Sequence, residues 1–159
     1  MQISPRSILL DHFLYPSALF ASCEPARVQT ILGSCVAVCL YDTLLAVGGI
    51  NHFMLPHWTG QGMPSPKYGD IAVKRLIEKM NAFGSEKQNM VAKIFGGAEQ
   101  LGGSDGSYNI GTRNVAVAEN ILAAEGISII SRSTGGVTGR KIVFYTHSNK
   151  VLVKMLKSM

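Results

Sequence analysis

Two apolar runs of this sequence each carry a residue able to do covalent chemistry. The first, Thr30-Ile31-Leu32-Gly33-Ser34-Cys35-Val36-Ala37-Val38, holds a thiol; the second, Gly48-Gly49-Ile50-Asn51-His52-Phe53-Met54-Leu55-Pro56, holds an imidazole. A thiol beside an imidazole is the least apparatus that attacks an amide or ester carbonyl. The small turn-forming pair Gly33-Ser34 precedes the thiol, and such a turn lets backbone N–H groups face a developing oxyanion. Each residue also has a plainer reading. Cysteine is commonly a buried strand residue, and a histidine closing an apolar strand can be hydrogen-bonded for structure alone.

The elements around them must decide whether the two residues meet. Residues 29 to 41 are almost continuously apolar and rich in β-branched side chains, which predicts a mostly buried strand broken at Gly33-Ser34. Leu44 to Phe53 reads as the next strand, with Asp42-Thr43 supplying turn chemistry. A two-residue loop at Thr43-Leu44 would oppose Asp42 to Leu45 and, counting outward, Cys35 to His52, with Cβ atoms roughly 4.5–5.5 Å apart. A bulge or a one-residue slip would undo the match.

Upstream, the pieces Phe13-Leu14-Tyr15 and Ala18-Leu19-Phe20 are cut by Pro16 and Pro25, which predicts short strands or irregular chain. A loop from Pro56 to Pro66 follows the second strand and is a candidate lid. Asp70 is then a candidate N-cap, with Val73, Leu76, Ile77, Met80 and Phe83 at helical spacing and Gly84 as the stop. Thr112 is a second candidate cap, before Val115, Ala118, Ile121 and Leu122, with Gly126 closing. Strands are predicted at 90–95, 127–130, 141–145 and 151–156. The mixture predicts an α+β or layered α/β domain of mixed β-sheets with two main helices.

Other constellations fit less chemistry. Cys39 shares the Cys35 face but lies deeper, and Cys23 has no base beside it. Cys35 and Cys39 as zinc ligands would stand about 13 Å apart on one extended strand, so no metal site is expected; a thiol–imidazole mechanism, were it the function, would need no cofactor. Gly96-Gly97-Ala98 and Gly102-Gly103-Ser104-Asp105-Gly106 look like phosphate loops but lack the closing Gly-Lys-Ser/Thr. At Ile110-Gly111-Thr112-Arg113-Asn114, a helix start carrying Arg and Asn either holds a polar or acidic group or is simply a capped helix with an exposed arginine.

Composition narrows the classes. The chain has 159 residues, 47 % apolar and 16 % charged, which predicts one folded domain spanning 1–159 and excludes disorder. Three cysteines are an odd count and argue against a secreted disulfide framework. No run reaches membrane-spanning length and no signal-peptide pattern opens the chain, so a soluble cytoplasmic protein is expected. The net charge of +5 favours acidic partners, but its basic residues are scattered and not interleaved with aromatics, which argues against nucleic acid.

Several blocks in order resemble the CheD family of chemoreceptor glutamine deamidases. They are His12-Phe13-Leu14, Leu32-Gly33-Ser34-Cys35-Val36-Ala37-Val38, Asn51-His52-Phe53-Met54-Leu55-Pro56, Lys67-Tyr68-Gly69-Asp70, Lys93-Ile94-Phe95-Gly96-Gly97-Ala98, Ile110-Gly111-Thr112-Arg113-Asn114, and Gly135-Gly136 with Gly139-Arg140-Lys141. The resemblance implies hydrolysis of glutamine side chains on receptor helices to glutamate and ammonia. It implies a fold similar to the catalytic domain of cytotoxic necrotizing factor toxins. It implies Cys35 as nucleophile, His52 as base and a threonine before the cysteine as the third member; Thr30 is the candidate, with Gln29 at the alternative position. Gly33 and Ser34 then form the oxyanion turn, and Asn51, Phe95, Gly96, Gly97, Arg113 and Asn114 are candidate substrate or partner contacts. The segment Ser133-Thr134-Gly135-Gly136 lacks the acidic residue expected before the glycine pair. Chemotaxis receptor helices are the implied partner, with a CheC-type phosphatase as a second. Two alternatives stand beside this: methylester hydrolysis on receptor glutamates by the same thiol, and a non-catalytic adaptor in which Cys35 is inert.

Overall fold

The structure is a computed structural model that describes residues 9–99 and 109–157; the glycine-rich stretch at Gly102–Gly106 lies outside them. In chain order the strands are β1 (Leu10–Phe13), β2 (Leu19–Ser22), β3 (Ala26–Leu32), β4 (Val36–Asp42) and β5 (Val47–Asn51). Helix α1 (Gly69–Ala82) and a short 3-10 turn (Lys87–Asn89) lead to β6 (Met90–Gly96), α2 (Ile110–Ala124), β7 (Ser128–Thr134), β8 (Arg140–Tyr145) and β9 (Val151–Met155). The strands form two mixed sheets, a four-stranded one ordered β1-β3-β8-β9 and a five-stranded one ordered β2-β5-β4-β6-β7. The predicted mixture of two main helices and mixed sheets is what folds.

β4 explains the layering. Its side chains alternate, as a strand requires. Val36, Val38 and Leu40 join Leu76, Ile77, Met80, Ala118 and Leu122 in a core under the two helices. Ala37 and Cys39 join Val28, Leu32, Ile50, Ile142 and Phe144 in a second core between the sheets. A strand buried on both faces reads as an unbroken apolar run, which is why β4 is so plain in the sequence.

The β4–β5 hairpin differs from expectation. Asp42 faces Val47, not Leu45, and Cys39 faces Ile50. The cause is the Asp42 carboxylate: Oδ1 accepts the N–H groups of Leu44 and Leu45 at 2.8 and 2.7 Å, and the Ala46 N–H returns to the Asp42 carbonyl at 2.9 Å. The side chain thus builds a longer loop and moves the register by two residues. His52 is therefore not directly opposite Cys35. A shift of two keeps every residue on its face, so both still point into the layer between the sheets.

Both helix starts also differ. Tyr68, not Asp70, is the N-cap of α1, and Asp70 sits in the first turn, where its Oδ1 accepts the Trp58 N–H at 2.9 Å. Asn109, in a left-handed conformation, is the N-cap of α2, and Thr112 lies inside the helix. The loop after Pro56 is tied to α1 at both ends, by that Trp58 bond and by Arg75 donating to the Pro64 carbonyl at 3.0 Å. No helix among the described residues is long and apolar enough to cross a membrane.

Candidate active site

Thr30 and His52 belong to different sheets and meet across the gap between them. Thr30 is on β3, fully buried, with its side chain turned inward beside Val28 and Leu32. His52 follows β5 and is 1 % exposed. Backbone bonds hold it from the β2 side, its N–H to the Ala18 carbonyl at 3.1 Å and its carbonyl from the Ser17 N–H at 2.8 Å. Its Nδ1 lies 2.6 Å from Thr30 Oγ1.

Hydrogen-bond accounting around that contact assigns the tautomer. A hydroxyl has one proton to give, and Thr30 gives it to the Leu14 carbonyl at 2.8 Å. Thr30 Oγ1 can then only accept from the ring, so Nδ1 carries the ring proton and Nε2 carries the lone pair. Nε2 is buried and has no hydrogen-bond partner among the described residues. Burial drives the imidazole pKa from its usual 6.5 down to about 4, because the charged ring cannot be solvated there. His52 is thus a neutral base at pH 7 with its accepting nitrogen free.

Gln29, the alternative third member, faces away. It is half-buried, and its amide reaches Asp11 at 3.4 Å. The Leu14 carbonyl is the participant that sequence reasoning misses. Main-chain atoms carry no signal in residue type, and Leu14 shows only as an apolar position between Phe13 and Tyr15.

Cys35 stands in the loop joining β3 to β4, half-buried, packed against the inter-sheet core. Burial raises its pKa, opposed by a bond from its own backbone N–H. The resting thiol is therefore protonated and not an ion pair with His52. The loop is held by its carbonyls. Gly33 O accepts the Ala98 N–H at 2.9 Å, Cys35 O accepts the Gly97 N–H at 2.9 Å, and Ser34 O accepts Asn114 Nδ2 at 3.0 Å. Every carbonyl points away, while the N–H groups of Ser34 and Cys35 make no backbone bond among the described residues. Cys39 is buried and its thiol pKa is pushed far up; it is a core residue.

The six candidate contact residues divide by burial. Asn51 is fully buried and accepts the Val38 N–H at 2.8 Å. Phe95 lies in the inter-sheet core. Gly96, at φ 104°, leaves no room for a Cβ against the Cys35 carbonyl, and Gly97 donates to that same carbonyl. Asn114 is fully buried and bonds only the chain itself. Arg113 alone of the six is exposed. Five of them shape the Cys35 loop or the core from within.

A further residue clamps the neighbourhood. Arg140, 2 % exposed, is paired across the sheet with Leu32, next to Gly33. Its guanidinium donates to Ser133 Oγ at 2.9 Å and to the Gly135 carbonyl, and burial lowers its pKa. Gly135 N–H in turn donates to the Gly96 carbonyl. With serine and threonine at 133 and 134, this buried cation is met by a hydroxyl and carbonyls.

Known proteins resemble the chain over most of its length. A family model described as CheD chemotactic sensory transduction matches residues 54–155. A Sulfurimonas denitrificans protein named probable chemoreceptor glutamine deamidase CheD is 42 % identical over 151 residues, covering 91 % of this chain and 94 % of that one. Proteins of the same name from Trichlorobacter lovleyi and Rhodospirillum rubrum are 45 % and 44 % identical, covering 92 % of this chain and 91 % and 82 % of theirs.

Proposed function

Since the chain belongs to the CheD family, we propose that it is a chemoreceptor glutamine deamidase in which Cys35 is the nucleophile, His52 the base and Thr30 the residue that orients the base. The observation that carries the residue assignment is the relay from Leu14 O through Thr30 Oγ1 to His52 Nδ1, which leaves Nε2 as a free acceptor on the face that Cys35 shares.

The chemistry follows from those protonation states. His52 Nε2 takes the thiol proton as sulfur attacks the glutamine carboxamide carbon. The carbonyl oxygen gains charge where the Ser34 and Cys35 N–H groups can receive it. Collapse of the tetrahedral adduct breaks the C–N bond, and His52 gives its proton to the leaving ammonia. Water, deprotonated by the same nitrogen, then cleaves the thioester to glutamate and the free thiol. Because both groups start neutral, the proton moves with the attack.

The proposed substrate is a receptor signalling helix, which places the protein on the cytoplasmic side. A CheC-type phosphatase is proposed as a second partner, competing with the receptor for the same surface. Strand β4, buried against both cores, supports one deamidase domain over the described residues, and we extend it to 1–159; a layout like the cytotoxic necrotizing factor catalytic domain is proposed from the family resemblance alone.

The test is incubation of receptor cytoplasmic fragments with the wild-type protein and with Cys35→Ala, reading glutamine positions by mass spectrometry. Conversion of defined glutamines to glutamate by the wild type alone is expected. Conversion that persists with Cys35→Ala would remove the nucleophile assignment, and methanol release without deamidation would replace the activity.

A further inference from the structure

We infer that Asn114 is a positioning residue for this reaction, a single side chain that sets the separation of Cys35 from His52 by holding the backbone beside each. This rests on the Cys35–His52 reading above and deepens it.

Asn114 lies in the first turns of α2, on the opposite side of the five-stranded sheet from the inter-sheet layer, and is fully buried. Its Nδ2 donates both protons, one to the Ser34 carbonyl and one to the Met54 carbonyl, each at 3.0 Å. Ser34 directly precedes the nucleophile. Met54 lies two residues after the base. Among the described residues neither carbonyl has another partner, whereas the flanking carbonyls of Gly33 and Cys35 are held by backbone N–H groups. One amide group therefore reinforces the stretch that the β4–β5 ladder leaves open, since Cys35 lies outside that ladder and, among the described residues, the Val36–Phe53 bridge and the Val38 N–H bond to Asn51 Oδ1 are the links between the two segments there.

The helix delivers the amide to a fixed depth. Gly111, one turn earlier, packs so closely on the Gly97 and Ala98 carbonyls that a Cβ there would collide with both. Those two residues are the ones whose N–H groups hold Cys35 O and Gly33 O. Helix, glycine turn and nucleophile loop are thus locked as one unit. Asn114 touches no solvent and commits both amide protons to main-chain carbonyls, so its role is to position, not to react. A displacement of about 1 Å between reacting groups can cost about a hundredfold in rate.

The experiment uses the full chain and the alkylation of Cys35 by iodoacetamide at pH 7, followed by peptide mass mapping to separate it from Cys23. Asn114→Ala is expected to slow Cys35 alkylation by about tenfold to a hundredfold. In a His52→Ala background the same change is expected to alter the rate by less than about twofold, because coupled residues are not additive. With receptor fragments kcat falls and KM holds. Asn114→Leu, of similar volume, is the second variant, and melting curves show which of the two is folded.

Equal slowing in both backgrounds would mean that Asn114 supports the loop but not the pair, and would overturn the inference while leaving the Cys35–His52 reading intact. If His52→Ala itself leaves alkylation unchanged, both fall. If neither Asn114 variant folds at 25 °C, Asn114 is a core residue of the whole domain and the inference also falls.

Discussion

At the scale of single residues, the site is governed by where protons are forced to sit. Thr30 Oγ1 cannot serve two acceptors, so the Leu14 carbonyl dictates the tautomer of His52. Thr30→Val keeps the shape and removes the hydroxyl. It leaves the buried Nδ1–H and the Leu14 carbonyl unsatisfied, a loss of about 1–3 kcal/mol, and it frees the ring to take the other tautomer. Deamidation is expected to fall by about a hundredfold, with Thr30→Ser restoring most of it; a Thr30→Val enzyme of wild-type kcat would show that the hydroxyl is only structural. His52 also imposes a pH dependence on the fold. Its pKa is about 4 when folded against 6.5 in an unfolded chain. The unfolded state therefore binds the extra proton first, so the stability due to keeping His52 neutral is complete above pH 6.5 and is lost as pH falls toward 4. Melting temperature measured across that window should decline, and His52→Phe should flatten that part of the decline. Cys35 runs the other way: its raised pKa means that direct alkylation in His52→Ala keeps increasing with pH beyond the usual thiol range.

Elements show how much of this was legible in the sequence. β4 was readable because burial on both faces leaves only apolar side chains. The shared face of Cys35 and His52 was readable because alternation in a strand does not depend on the loop that joins two strands, provided that the loop changes length by an even number. The loop itself was not, because Asp42 acts through its side chain on two N–H groups that any residues could supply. Helix starts were displaced for a similar reason: Asp70 serves the Trp58 N–H of a preceding loop, and the Thr112 N–H is taken by Glu99 at 2.9 Å. The third member of the site was open between Gln29 and Thr30 because β3 and β5 lie in different sheets, and no periodicity reports which residues of two facing sheets approach each other. Close helix packing makes a prediction at this scale. Gly111→Ala must push α2 away from the Gly97 and Ala98 carbonyls. Calorimetry should show a loss of about 1–3 kcal/mol, and activity should drop further than the folded fraction. A Gly111→Ala protein with unchanged melting and activity would mean that the helix approaches less closely than this.

At the scale of the whole molecule, the pattern of charge bears on how an enzyme whose proposed base is buried meets a large substrate. The net charge is +5. Several acids are already engaged: Asp11 with Arg27 at 3.1 Å, Glu125 with Lys87 at 2.9 Å, and Glu119 with Arg132; Asp42 is buried and bonded to Ser85. What remains for a partner is mainly basic. Arg113 is exposed beside the buried Asn114, and Lys141 and Lys154 are opposed on neighbouring strands of the four-stranded sheet. Fields of this kind speed encounter and weaken with salt, because charges farther apart than about 8 Å are screened at physiological ionic strength. The proposed chemistry, by contrast, takes place between two groups that both start neutral. Salt should therefore separate the two. Raising sodium chloride from about 50 to 500 mM is expected to increase KM for acidic receptor fragments several-fold while kcat changes little, and Arg113→Glu should mimic the salt effect at low ionic strength. Iodoacetamide, which is uncharged, should alkylate Cys35 at the same rate throughout. If salt lowers kcat or the alkylation rate as much as it raises KM, then charge acts within the site itself, and the neutral-pair description of Cys35 and His52 is wrong.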